Sequence, residues 1–186
     1  MTQGPEPAET LPTYATSPRP RRVKRVWLAT FVASMAACLS VTLIGFILMG
    51  VTEALFFSAF GSGLPLAKAG FGEGVQLAVA LASYNFFLFF VTVPAAALVL
   101  GLSVGRMPHR GITAMRPYLR WGAIWGAILV GGVTALFGSF GGASSAFGAL
   151  VTGGAIGAIA GTFCGFLMHK IIDPVRQLTD VDVGVF

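Results

Sequence analysis

The sequence predicts an all-α integral membrane protein: four transmembrane helices, the third and fourth forming a tightly packed, glycine-rich hairpin. Three observations predict it. Of 186 residues, 55% are apolar and only 10% charged, and the mean hydropathy is +0.82, outside the range of a soluble domain. Four apolar stretches each reach the roughly 20 residues that cross a hydrocarbon core. Glycines stand at 153, 157, 161 and 165 on the last of them. Four spans use up the chain, so no soluble domain with its own core is expected.

Residues 1–25 carry five prolines among Gly, Ser and Thr and end in "RPRRVKR", the composition of a disordered tail. Its cations Arg19, Arg21, Arg22, Lys24 and Arg25 directly precede an apolar run, a placement that suits anionic lipid headgroups at a cytoplasmic face. The first span is residues 26–50, with Trp27 as interfacial anchor. It reads as uncleaved, because the apolar run continues past the length of a signal peptide.

Residues 51–74 are apolar but broken by glycines and Pro65, which suggests an external re-entrant or interfacial segment. The second span, 75–102, contains "SYNFFLFFVTVP", where Pro94 is expected to kink the helix. It carries the intramembrane polar residues Gln76, Ser83, Asn85 and Thr92, with Gln76 and Ser83 on one face and Asn85 and Thr92 opposite. A cytoplasmic loop, 103–118, leads to the third span at 119–140. The fourth covers 146–168, and 171–186 form a short cytoplasmic tail.

Lys and Arg alternate in density: five before the first span, Lys68 alone between the first and second, then Arg106, Arg110, Arg116 and Arg120. None separates the third span from the fourth, and Lys170 and Arg176 follow it. By the positive-inside rule both termini are cytoplasmic. Ala, Gly and Arg usage suggests a bacterial inner membrane.

In water a glycine row only weakens a helix, by roughly 0.8–1 kcal/mol per residue against alanine. In lipid, where helices gain little hydrophobic energy by associating, bare backbone lets two helices come close. Gly153, Gly157, Gly161 and Gly165 cover about a third of the circumference, with Ile156, Ile159, Phe163, Phe166 and Leu167 opposite. On the third span, Ala127, Gly131, Ala135, Gly138 and Gly142 form the expected matching strip, and Gly122 and Gly126 a second, separate face. Two readings stay open: the stripe packs within the chain, or it meets a partner.

Chemistry is sparse. His109 and His169 sit in basic flanks, where a solvated role is expected. Glu53 and Glu73 lie outside and could form an acidic external mouth. Cys38 and Cys164 stand in different spans, with neither disulfide nor metal spacing. No acid or base falls at mid-membrane depth, against proton-coupled transport, and no glycine-rich stretch ends in the GKS or GKT of a nucleotide site. No cofactor, metal or nucleic-acid partner is expected, the net charge of +5 being explained by orientation. The partners expected are membrane lipid and either another membrane protein or a second copy of this chain. The favoured function is therefore non-enzymatic: lateral helix contact with another membrane protein, as an accessory or assembly subunit, a regulator, or an immunity protein against a membrane-active toxin. The alternative is a small channel or transporter subunit working as a homo-oligomer.

Overall fold

The structure, a computed structural model, describes residues 26–61, 69–107, 110 and 112–173, leaving aside the side chains of Phe56 and Phe60. The basic tail, Lys68, His109 and Arg176 lie outside those residues. Every element among them is helical: α1 (Val26–Phe60), α2 (Phe71–Tyr84), a 3₁₀ turn (Asn85–Leu88), α3 (Phe89–Leu102), α4 (Met115–Gly138) and α5 (Ala143–Ile172), with two further short 3₁₀ turns after α3 and α4. Among the described residues, four helical stretches are long and apolar enough to cross a membrane, the second being α2 and α3 taken together through to Arg106.

α1 differs from expectation at its far end. It does not stop near Gly50 but runs on to Phe60, so residues 51–60 continue the helix. The sequence there, "VTEALFFSAF", contains neither glycine nor proline; the breakers Gly61, Gly63 and Pro65 come after it. Gly61, with φ +64, takes the left-handed conformation that commonly ends a helix.

The second span breaks ahead of its proline. The departure from α-geometry is the 3₁₀ turn at Asn85–Leu88, while Pro94 lies inside α3. Asn85 Nδ2 donates to the Cys38 carbonyl of α1 at 3.2 Å, an interhelical bond that fixes the turn against α1. Phe86, Phe87 and Phe90 point outward, Phe90 at 93% exposure.

α5 is the central helix, with contacts to α4, α2 and α1. Two clusters of apolar side chains hold the bundle together. Val41, Ala82, Ile156 and Ala160 join α1, α2 and α5; thus Ile156, expected on the bulky outer face of α5, turns inward, while Ile159 and Phe163 remain exposed. Towards the other end, Ala29, Ala33, Leu100, Val104, Tyr118, Cys164, Met168 and Ile172 pack together.

Candidate functional site

The row of small residues is the first feature to place. Gly153, Gly157, Gly161 and Gly165 are all buried, and α4 covers each of them. A Cβ on Gly165 would overlap the Tyr118 carbonyl, one on Gly161 the Gly122 carbonyl, one on Gly157 the Gly126 carbonyl, and one on Gly153 the Thr134 hydroxyl. On α4 the contacting residues are thus Tyr118, Gly122, Gly126, Val130, Thr134 and Gly138, spaced by four like the row they meet and running antiparallel to it. Here the expected matching strip needs correction. Gly122 and Gly126 are not a separate face but the centre of the seam. Gly138 continues it against Ala146 and Ala149, and Gly131 flanks it against Gly154.

A flat helical wheel divides this row because each step of four advances about 40°. Two packed helices that cross or wind follow such an advancing row, so residues on separate sectors of the wheel lie on one continuous seam. Ala135 is half-buried beside it. Thr134 adds a polar tie: its hydroxyl lies 2.8 Å from the Ala149 carbonyl and 3.1 Å from that of Gly131.

Close approach recurs at glycines that stand in no such row. Gly45 of α1 abuts the Ala82 and Ser83 backbone, and Gly74 of α2 abuts Ser145 and Ala149 of α5. The signal for the first was present in α1, where Ala29, Ala33, Ala37, Val41 and Gly45 recur every four residues. Only Gly45 in that series is a glycine, so the row is easily passed over.

The second feature is a cavity of about 180 Å³ at the middle of the bundle, bordered by all four spans: Cys38 and Val41 of α1, Asn85 and Thr92 of the second span, Leu129 and Val133 of α4, Ala160 and Cys164 of α5. Its wall is carbon almost throughout. Asn85 donates to Cys38 O, Thr92 to Leu88 O at 3.1 Å, and Thr134 is held as above. Asn85 and Thr92 both border the cavity. Ser83 is buried and donates to Val79 O, and Gln76 is half-buried on α2.

Glu53 and Glu73, expected outside the membrane, part company. Glu53 is exposed on the stretch 51–60 of α1. Glu73, in the first turn of α2, packs beside Gly141 and Ser145, next to the positive N-terminus of α5. No described contact joins the two.

His169 is half-buried, not solvated: Nε2 lies 3.0 Å from the Thr113 carbonyl, and the ring stands edge-on to Tyr118 at 5.1 Å. Tyr118 in turn donates to Ile112 O at 3.0 Å. The pair ties the segment before α4 to the end of α5. Among the described residues no three of His, Cys, Asp and Glu come together as a metal-holding group, and Cys38 and Cys164 are both free and buried.

No family model, curated protein or solved structure gives a significant match to this chain.

Proposed function

We propose that this chain is a multi-pass protein of a bacterial inner membrane, with both termini cytoplasmic and a glycine-packed pair formed by the third and fourth spans. We further propose that it acts without catalysis, through lateral contact with another membrane-embedded protein as an accessory or assembly subunit, a regulator, or an immunity-type protein. With its glycine row covered by its own α4, the contact surface must lie elsewhere.

The observation that carries the reading is the overhang of α1. Its 35 residues span about 52 Å at 1.5 Å per residue, against roughly 40–45 Å for a bilayer with its headgroups. Leu55 and Phe57 near its end are 62% and 67% exposed. Beside the polar Thr52, Glu53 and Ser58, this end carries the exposed Leu55 and Phe57; apolar side chains clear of the bilayer call for cover, and a partner protein beside α1 would supply it. The homo-oligomeric channel has less support, since hydroxyls that could line a pore bond to carbonyls of their own helices: Thr30 to Val26 O, Ser40 to Ala36 O, Thr162 to Ala158 O.

A photo-reactive phenylalanine analogue at position 57, expressed in the native host and irradiated, should form a protein adduct of discrete mass, whereas one at Leu43 should label lipid. Absence of any protein adduct at 57 would remove the partner reading. Orientation is tested separately: reporters after Gln3, Gly111 and Phe186 should report cytoplasm, and those after Gly72 and Gly142 the exterior.

A further inference from the structure

We infer that the cavity between α3 and α4 is a binding site for one hydrocarbon chain of a membrane lipid, an inference that rests on the membrane reading above. Shape is the first reason. Along α4 the lining runs from Gly122 to Phe137, about 22 Å at 1.5 Å per residue, which is longer than one leaflet of a hydrocarbon core about 30 Å thick. A space that long holding about 180 Å³ is a narrow slot. A transmembrane helix, roughly 10 Å across, does not enter it.

Chemistry is the second reason. Buried water needs about two to four polar partners, yet the amide of Asn85 and the hydroxyls of Thr92 and Thr134 already bond to backbone carbonyls. One amide and two hydroxyls whose protons are already engaged anchor water poorly along a wall that is otherwise almost all carbon, and hydrocarbon is the apolar filler a bilayer supplies.

Access is the third. α3 touches α4 only marginally, and three of the lining residues, Leu88, Val133 and Phe137, are 48%, 51% and 45% exposed. The slot thus has a lateral mouth on the apolar exterior, through which a chain can enter without its headgroup leaving the interface.

The test uses the full chain in phosphatidylcholine vesicles doped with a phospholipid bearing a mid-chain diazirine. After irradiation, mass spectrometry should find adducts at Leu129 and Ala160 inside the slot as well as at the outward Leu43 and Phe90. Ala96→Phe, or the milder Ala95→Leu at the mouth, should reduce the inner adducts several-fold and leave the outer ones unchanged. Wild-type adducts at Leu43 and Phe90 alone overturn the inference and leave the membrane reading standing. Adducts at none of the four overturn both. Inner adducts that persist undiminished in a filled variant that inserts normally also overturn it.

Discussion

The two flanks of α4 carry different residues, glycine towards α5 and Leu129 and Val133 towards α3, and behave oppositely. Towards α5, Gly122 and Gly126 let backbone meet backbone. Towards α3, the small residues Ala95 and Ala96 face Leu129 and Val133 across open space. Small side chains give close contact only where the two backbones are free to approach. On the first flank nothing holds them apart, and Thr134 draws them together. On the second, α3 follows α1: Asn85 bonds to Cys38 O, and Gly45 seats α1 on the backbone at Ala82 and Ser83. A span anchored to one neighbour leaves a gap at the other.

The largest effect should come from filling the seam. Gly157→Leu or Gly161→Leu drives a branched side chain into the facing carbonyl; overpacking of this kind costs about 1–3 kcal/mol and sometimes more. Both variants should be lost or aggregated when purified in mild detergent. Gly161→Ala, whose Cβ alone already overlaps Gly122 O, should be recoverable but less stable by about 1–3 kcal/mol in a denaturant titration. If Gly161→Ala is as stable as wild type, the backbones are not in contact and the contrast between the flanks disappears.

Thr134→Val removes the polar tie to Ala149 O. It should destabilise by about 0.6 kcal/mol and by no more than roughly 1.7 kcal/mol, the average and the maximum for interhelical bonds of this kind. Asn85→Leu removes the tie that holds the second span on α1 and should fall within the same limits. It should also let α3 shift, raising the rate at which a lipid-soluble maleimide modifies Cys38, which borders the slot. An unchanged rate would mean that α3 is positioned by something else. The smallest effect is reserved for Gly132, where an added Cβ meets nothing within 4 Å. Gly132→Ala should be neutral or stabilising by up to about 1 kcal/mol through helix propensity, in the same titration that reads Gly161→Ala.

Apolar composition and the lengths of four hydrophobic runs were enough to read the four long helices from the sequence, because both are local properties. The row at 153, 157, 161 and 165 was equally visible as a surface without side chains. Its partners were misread because a wheel assigns Gly122, Gly126 and Gly138 to different sectors, and only the path of α4 past α5 makes them one seam. The end of α1 was misplaced for a different reason: apolar residues at 51–60 were judged by the glycines and Pro65 that follow them, although the helix needs only its own residues to continue. His169 looked like a solvated flank until the segment at 112–114 was folded back over it.

What the sequence determined by itself is which segments are apolar, how long they are, and where the side chains thin out, all of which follow from residue identity and helical period. Which thin face closes on a neighbour and which is left as a slot was decided by the tertiary structure. That outcome depends on where each backbone is anchored, and the anchors, Asn85 on Cys38 and Thr134 on Ala149, are bonds between residues on different helices that no local pattern records.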